Sequence, residues 1–571
     1  MATISVDGIE IEIADGERLN CIQAADRAGV EIPFYCWHPG LSVVASCRMC
    51  LVETGTKGPD GKVQMGPKLA PACQTPAMHG TVIVTNSEKV RANQRFVQEY
   101  LLVDHPIDCP ICDQAGECWL QDYYFRYGQA QRRADVRPFT SRRKDVGEHV
   151  TLFIDRCVMC SRCVRFTREI SGTGELAVVE RGHHAEIDVF PGRPCDNKLS
   201  GNVVDLCPVG ALCSKDFLYK QRAWFLKSHP SVCTRCSTGC SIVVDENKDT
   251  IYRLRPRYNP NANDWWMCDI GRYGFDYVHS PQRLTTLSRR GDGILQEIGW
   301  EEAMPAVRKA LAEAVNTHGA EAVAAVLSPF LTCEEAYLLG RAAKRLSPKT
   351  VLVLGPVPVA GHDETYPRGF VIRAERCPNR RGVSEVLRHF EGEVLDFPSF
   401  LARVRLGQIK AVYLTGGYPE AWISLEEAES LEQLELLVVQ DILPSPVSRM
   451  ADFVLPGASF AEKEGSYVNH GGLLQVSQRA IRPPGACHVD GQVFWDLQER
   501  RGLYGASVVR QELAAAIPLF AAAAEEIPEY GVRLGEGGKA DGVRPVPTTW
   551  PGTVLQPIPD ARAPGAPHPG R

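Results

Sequence analysis

The distribution of cysteine constrains the fold of this chain more than any other feature of its sequence. There are 21 cysteines among 571 residues, and 15 of them form four groups between Cys36 and Cys268. The first residues, MATISVDGIEIEI, lack the basic and apolar segments of a secretory signal, so we expect a reducing, cytoplasmic compartment. In such a compartment, clustered cysteines are typical of metal ligands rather than of disulfides.

Length and composition indicate a multidomain globular protein. A single hydrophobic core stops growing at about 250 to 300 residues, so 571 residues should divide into several domains. Apolar residues make up 44% of the chain, and no apolar run reaches the roughly 18 residues that a membrane span requires. The net charge of -6 offers no basic surface for nucleic acid.

The first group follows a predicted hairpin and helix. Alternating residues in 3–6 and 9–13 surround Asp7-Gly8, a dipeptide typical of a type I′ turn. The helix-like segment RLNCIQAADRAGV has Leu19 on its apolar face and ends at Gly29. Hairpin, helix and cysteine loop resemble a [2Fe-2S] ferredoxin of the β-grasp type, although ten residues rather than the plant-type four precede the CxxC pair. A zinc site is the alternative. The expected ligands are Cys36, Cys47, Cys50 and Cys73.

The second group lies in the stretch HPIDCPICDQAGEC. It follows a helix-like segment with Ser87 as candidate N-cap and with Ala92, Phe96 and Tyr100 along one face. A cubane cluster needs four ligands and three thiolates are present, so we expect His105 to supply the fourth. The pattern resembles the histidine-ligated [4Fe-4S] cluster in the large iron-sulfur subunit of respiratory complex I. The expected ligands are His105, Cys109, Cys112 and Cys118.

The third group, RCVMCSRCVRF, contains two consecutive CxxC intervals, which favour a cubane cluster over a single tetrahedral metal. A bacterial ferredoxin would place the next cysteine where this chain has Thr167. Cys207, followed by Pro208, is the best fourth ligand, and Cys195 and Cys213 are alternatives. The expected ligands are Cys157, Cys160, Cys163 and Cys207.

The fourth group again joins a compact run to one distant cysteine, and a second [4Fe-4S] site of all-cysteine type is expected, with zinc as the alternative. Its ligands are Cys233, Cys236, Cys240 and Cys268. The four groups together contain no catalytic dyad or triad. Several redox centres in succession without a place for a substrate are typical of an electron relay.

The carboxy-terminal half is predicted to be α/β with a largely parallel sheet. EAVAAVLS and TVLVLGP are strand-like and flank the helix-like CEEAYLLGRAAKRL, while KAVYLTGG and LELLVVQD flank LEEAES. The stretch Leu414 to Glu420, LTGGYPE, places glycines at a strand end, where such sheets bind ligands, but a simple turn is the stronger interpretation. Cys333 and Cys377 are predicted to be buried cysteines rather than metal ligands.

Two stretches in this half, Met450 to Gln475 and PNRRGV from Pro378, resemble the molybdopterin-dependent oxidoreductases. Catalytic members of that superfamily carry a lysine two positions after the last cluster cysteine, and this chain has Ile270 there. We therefore expect a degenerate α/β scaffold without molybdenum.

The order of the four groups and the α/β half resembles the large iron-sulfur subunit of proton-pumping NADH:quinone oxidoreductase, respiratory complex I. This family implies that electrons pass from a flavin-bearing NADH subunit through one [2Fe-2S] and three [4Fe-4S] clusters toward the quinone site. The neighbours would be other hydrophilic-arm subunits, especially the flavin subunit and a two-cubane ferredoxin-like subunit. The chain would reach the inner membrane only through them, at its cytoplasmic face. In this family the Cys233-containing cluster occurs in some members and lies off the main path.

The resemblance divides the chain into six parts: 1–85, the β-grasp [2Fe-2S] domain; 86–140, the His/Cys domain; 141–225, a [4Fe-4S] ferredoxin-like domain; 226–284, a four-cysteine cluster domain; 285–534, the α/β domain; and 535–571, a proline-rich extended tail.

Two other functions are compatible with parts of this pattern. The large subunit of an NAD-linked formate dehydrogenase shares the amino-terminal architecture, but Ile270 and Thr167 count against it. A zinc-stabilised interaction protein would need two CxxC pairs per site, which the third group does not provide.

Overall fold

The computed structural model describes residues 2–182 and 184–535 and divides the chain into two compact units. The first lies within Met1–Leu226 and also takes in Tyr366–Arg368, and the second comprises Lys227–Thr365 and the described residues from Gly369 onward. The six domain boundaries expected from the sequence stay predictions, and residues 536–571 of the expected tail lie outside the described part.

The first unit opens with a mixed sheet whose strands lie in the order Ile9–Ile13, Ala2–Val6, Thr81–Val84, Leu51–Lys57 and Val63–Met65, with Ala70–Pro71 also paired to Leu51–Lys57. Asp7 and Gly8 join the first two strands with φ of 47° and 88°, which confirms the type I′ turn. Sheet and helix share an apolar core that includes Ile4, Val6 and Ile22.

The predicted first helix is shorter than expected. It spans Cys21–Arg27, because Leu19–Asn20 forms a short strand with Pro76–Ala77 and the Asn20 side chain caps the helix. Leu19 is buried in the same core as the helix, so the apolar pattern is correct but belongs to two elements rather than one. Gly29 follows the helix with φ of 73°, as expected for its C′ position.

The helix Glu88–Leu101 begins at the predicted N-cap, where the Ser87 side chain accepts a hydrogen bond from the Val90 amide. The face with Phe96 and Tyr100 is exposed, however, at 61% and 70%. The buried face contains Gln98, whose amide donates to the Tyr35 hydroxyl at 2.7 Å. A polar residue that forms such a buried hydrogen bond can occupy the position where periodicity predicts an apolar residue.

The remainder of the first unit consists of short elements around the second and third cysteine groups. A three-stranded sheet has the order Leu212–Ser214, Val150–Phe153 and Arg143–Asp145, and a hairpin pairs Leu176–Val179 with Glu186–Val189. The helices are Trp119–Tyr127, Arg162–Glu169 and Asn202–Leu206, and the 3-10 turns are Ile154–Arg156 and Ala223–Phe225.

The second unit opens with a three-stranded antiparallel sheet formed by Lys227–Val232, Ser241–Asn247 and Thr250–Pro256, followed by the short helix Asp269–Tyr273. Beyond it lies a seven-stranded sheet with the order Ile294–Glu297, Ser288–Gly291, Phe453–Pro456, Leu436–Asp441, Ala411–Thr415, Val323–Leu327 and Val351–Leu354. The last five of these strands are parallel, which confirms the expected α/β fold.

Helices cover both faces of the parallel sheet. Alternate residues of one strand enter different cores: Ala325 packs in one, Ala324 and Val326 in the other. Burial of both faces explains the continuous apolar strands of the sequence. The principal helices are Trp300–His318, Cys333–Leu346, Arg380–Glu391, Phe397–Arg405, Leu425–Glu429, Pro446–Met450, Asp490–Leu497 and Ala506–Ala516.

A further small sheet of Gly465–Val468, Leu473–Ser477 and Val532–Arg533 completes the second unit. Across the described residues, every helix is too short or too polar to cross a membrane.

Candidate metal centres

The first group of cysteines converges in the amino-terminal domain. The thiols of Cys36 and Cys47 are neighbours that act on each other electrostatically, and so are those of Cys50 and Cys73. The pKa of Cys36 is lowered to about 5, first by the hydrogen bond from Cys47 and further by backbone amides of the same loop. Arg48 lies in this loop with φ of 58°, a left-handed conformation that is uncommon outside functional turns. Four adjacent thiols with amide donors fit a [2Fe-2S] cluster, whose sulfurs accept such hydrogen bonds.

The second group brings its three cysteines within electrostatic reach of one another, with Cys112 buried and Cys109 exposed. His105 neighbours Arg156, which also acts on Cys112. Burial, and then the Arg156 charge, lowers the pKa of His105 to about 4. The imidazole is therefore neutral at physiological pH, which is the form that ligates metal.

Gly210 provides space at this second group. A Cβ at Gly210 would lie 2.2 Å from the Cys112 sulfur, so a side chain cannot be accommodated there without displacing the thiol. A backbone that approaches a ligand this closely is a common reason for glycine at such a position.

The third group lines one small cavity. Cys157, Cys160, Cys163 and Cys207 all contribute to its wall, which among the described residues includes neither Cys195 nor Cys213. Burial raises the pKa of Cys207, while amides from three following residues point to its sulfur and oppose that shift. Met159 and Ser161, between the cysteines, have φ of 51° and 57°, so the loop wraps tightly around the cavity. This arrangement fits a cubane cluster with Cys207 as the distant ligand.

The fourth group lies in the second unit, and its four cysteines are buried. The backbone amide of Cys233 donates to the Cys240 carbonyl at 2.8 Å, which closes the compact run into a loop. Cys268 lies in electrostatic contact with Cys233 and Cys236. A Cβ at Gly271 would lie 2.8 Å from the Cys233 sulfur, so the absence of a side chain leaves room beside the thiols.

The side chains of the four ligand sets are not placed to coordinate a single metal ion. Among residues 2–182 and 184–535, no three His, Cys, Asp or Glu side chains are placed so as to hold one metal ion. The four ligand sets therefore stay predictions, supported by the proximity of their thiols and the open space beside them.

Two buried arginines, which the sequence did not reveal as functional, connect the first and third groups. Arg165 donates to the backbone carbonyls of Cys36 and Cys160, one from each group. Arg162 donates to the Trp37 carbonyl at 2.6 Å and to the Leu206 carbonyl at 3.3 Å, which are the residues next to Cys36 and Cys207. Its guanidinium also lies 4.4 Å from the centre of the Trp119 ring. The two ligand loops are thus fixed to the same pair of cations.

A third buried arginine joins the second and third groups. Arg156, which is 1% exposed and precedes Cys157, donates twice to the Asp108 carboxylate at 2.8 and 2.9 Å. Its third contact is with the Gly210 carbonyl at 3.4 Å, beside Cys112. The signal for these residues was the alternation of arginine and cysteine in RCVMCSRCVR, but only tertiary packing determines that the arginines face inward.

The strand end at LTGGYPE, where a ligand crevice was the weaker alternative to a turn, is filled by the protein itself. A Cβ at Gly416 would lie 2.1 Å from the Asp441 carboxylate, and the Gly417 amide donates to that carboxylate at 2.8 Å. A volume of about 10 Å³ remains at this edge of the sheet. Nearby, Lys463 lies 2.8 Å from both Glu335 and Asp490 and fills the interior with a buried ion-pair cluster. The turn interpretation is consistent with this packing.

Cys333 and Cys377, predicted to be buried cysteines, are each 0% exposed. Cys333 donates to the Asn379 side chain at 3.5 Å, and Cys377 is an electrostatic neighbour of Cys236.

Comparison with protein families gives five matches along the chain. These are a 2Fe-2S iron-sulfur cluster binding domain at 1–88, the NADH-ubiquinone oxidoreductase-G iron-sulfur binding region at 94–133, the ferredoxin-like domain of NADH-quinone oxidoreductase subunit 3 at 147–213, the molybdopterin oxidoreductase Fe4S4 domain at 226–280, and molybdopterin oxidoreductase at 283–371 and 394–500. Iron-sulfur binding domains are therefore present around all four cysteine groups, followed by a molybdopterin-oxidoreductase domain of mixed α/β structure.

Curated relatives carry corresponding names. The NADH-quinone oxidoreductase G subunit of Rickettsia felis is 36% identical over 346 residues, which are 61% of this chain and 49% of that protein. The NADH-ubiquinone oxidoreductase 75 kDa subunit of Reclinomonas americana is 37% identical over 318 residues, 56% of this chain and 44% of that protein. Among solved structures, a chain of an NAD+-reducing [NiFe]-hydrogenase in the H2-reduced state is 28% identical, covers 38% of this chain and 90% of its own, and has a TM-score of 0.33.

The chain spans about half the length of the curated relatives it matches. The order of the matched domains and the names of these relatives agree. Over its matched part, the chain is therefore similar to the large iron-sulfur subunit of NADH-quinone oxidoreductase, named as the G subunit in bacteria and as the 75 kDa subunit in Reclinomonas americana.

Proposed function

We propose that this chain relays electrons within an NADH:quinone oxidoreductase, from a flavin-bearing NADH subunit toward the subunits that reduce quinone. One [2Fe-2S] and three [4Fe-4S] clusters, held by the four ligand sets, would each accept and pass on an electron. The observation that carries the proposal is the linkage of the first three ligand sets through Arg156, Arg162 and Arg165.

The arginines have two roles in such a relay. Their hydrogen bonds hold the ligand loops at a fixed separation, because one guanidinium donates to carbonyls of both loops. Their positive charges also stabilise an added electron nearby, and burial strengthens that effect. Arg162 and Arg165 are 2% and 8% exposed, so water screens their charges little.

NADH oxidation and quinone reduction are assigned to neighbouring subunits. The filled crevice at Gly416 and the isoleucine at position 270 favour a scaffold role for the α/β half over catalysis of the formate dehydrogenase type. We place the chain at the cytoplasmic face of the inner membrane, next to the flavin subunit and a two-cubane ferredoxin-like subunit. The Cys233 set is assigned a fourth cluster off the main path.

The test compares Cys207 with Cys195, two of the cysteines that are candidates for the fourth ligand of the third group. In membranes whose complex contains Cys207→Ala, electron transfer from NADH to quinone should be lost, whereas reduction of an artificial acceptor at the flavin should continue. Cys195→Ala should retain both activities, because Cys195 lies outside the wall of the cavity. Full quinone reduction by the Cys207→Ala complex would contradict the relay.

A further inference from the structure

A large cavity opens at the amino-terminal side of the parallel sheet, on the edge opposite to the filled crevice. It has a volume of about 360 Å³ and lies between the helices Trp300–His318 and Cys333–Leu346 and the strand Val323–Leu327. Protein interiors are close-packed and contain few voids larger than a water molecule, whereas small-molecule sites begin at about 300 Å³. The size of this cavity is therefore that of a ligand site rather than of a packing defect.

The wall of the cavity is mainly aliphatic. Small residues on the facing elements create the space, and larger aliphatic residues surround it. They include Leu311, Ala312, Ala325, Leu339, Ala342 and Leu346. Such a wall is complementary to a hydrocarbon body.

One polar group in the wall has no partner in the protein. The Thr350 hydroxyl belongs to a residue that is 1% exposed, and within the described part of the chain no group hydrogen-bonds to it. The hydroxyl oxygen has almost no accessible surface, however, so polar contacts to a ligand must come from the rim of the cavity.

The rim of the cavity is positively charged. Arg308, Lys309 and Arg345 contribute to it, against the single carboxylate of Glu499. Arg308 lies 3.8 Å from Glu499, and Lys309 lies 3.8 Å from Glu313 on the same helix.

Arg345 is the cation left for a ligand. It donates one hydrogen bond to the Gln498 carbonyl at 2.7 Å, and it forms no ion pair with any described residue. Its remaining guanidinium donors are suited to a carboxylate.

We propose that this cavity binds a medium-chain fatty acid. The hydrocarbon chain would occupy the aliphatic space, and the carboxylate would accept hydrogen bonds from Arg345 at the rim. A neutral apolar molecule would fill the same space but would leave the cationic rim unmatched, so the charge of the rim selects the acid.

The full-length chain is titrated with dodecanoate in a calorimeter, and dodecanol provides the uncharged comparison. We expect saturable binding of one dodecanoate per chain, at least about tenfold tighter than dodecanol because a charge-assisted hydrogen bond is lost with the alcohol. Arg345→Gln should weaken dodecanoate by about tenfold and leave dodecanol unchanged. The matched control is Arg403→Gln, an exposed arginine on the helix Phe397–Arg405, which should bind as the unmodified chain does.

A second variant tests the location independently of charge. Ala342→Phe places a ring in the cavity and should abolish binding of both molecules while the circular dichroism spectrum is retained. Absence of saturable dodecanoate binding to the unmodified chain would overturn the proposal. Equal affinities in the unmodified chain, Arg345→Gln and Ala342→Phe would overturn it as well, because the ligand would then bind elsewhere.

Discussion

Replacing Arg162 by glutamine should lower the reduction potentials of two centres at once. Arg162 is 2% exposed and donates to carbonyls beside both Cys36 and Cys207, so its charge lies between the first and third ligand sets. Glutamine retains a hydrogen-bond donor but removes the charge. An added electron is then less stabilised at both centres.

The size of the effect follows from Coulomb's law. A unit charge at about 8 Å in a medium of effective dielectric constant about 20 contributes about 2 kcal/mol. For a one-electron couple this corresponds to about 90 mV. Because the hydrogen bonds of Arg162 reach both ligand loops, each potential should fall by about 50 to 100 mV.

The assay is a redox titration of the purified chain followed by electron paramagnetic resonance, with iron measured in each sample. Arg168→Gln is the matched control, since Arg168 belongs to the same helix, Arg162–Glu169, but is exposed. Arg162→Lys keeps the charge and should restore most of the potential. Unchanged potentials in an Arg162→Gln protein that retains both centres would show that the Arg162 charge does not act on them.

Three further predictions concern the second group and the scaffold. His105→Cys should leave the fold and the iron content unchanged but shift the potential of one centre, because a thiolate donates more charge than an imidazole; an unchanged set of potentials would argue against His105 as a ligand. Cys118→Ala should remove one cluster, seen as a loss of about four irons per chain; retention of all iron would contradict the ligand assignment. Lys463→Met leaves the carboxylates of Glu335 and Asp490 buried without their cation and should lower the free energy of unfolding by about 3 to 5 kcal/mol in equilibrium urea denaturation. Burial raises the pKa of Glu335 to about 7, so this carboxyl is protonated below pH 7 and is ionised, and dependent on Lys463, above it. The destabilisation caused by Lys463→Met should therefore increase as the pH rises through about 7. A destabilisation that does not change with pH would contradict this role of Glu335.

The cysteine groups could be predicted from the sequence because ligand type and spacing are local properties. The type I′ turn at Asp7 and Gly8 and the cap at Ser87 are equally local, and both are confirmed. In the α/β half, strands buried on both faces gave short continuous apolar runs that are visible in the sequence itself.

The connections between the groups could not be predicted in this way. An arginine next to a cysteine is usually exposed, and only the packing of distant loops shows that Arg162 is buried and bridges two of them. The buried Gln98 was missed for a similar reason, since its partner, Tyr35, is 63 residues away. The burial of Arg162 and Gln98 depends on hydrogen bonds to residues far away in the sequence. The pattern of apolar residues carries no information about such bonds.

The central claim is tested most directly by measuring iron, acid-labile sulfide, zinc and molybdenum in the anaerobically purified chain. One binuclear and three cubane clusters predict about 14 irons and as many sulfides per polypeptide, with neither zinc nor molybdenum. Stoichiometric molybdenum would instead make the α/β half catalytic, and zinc with little iron would contradict the electron relay altogether.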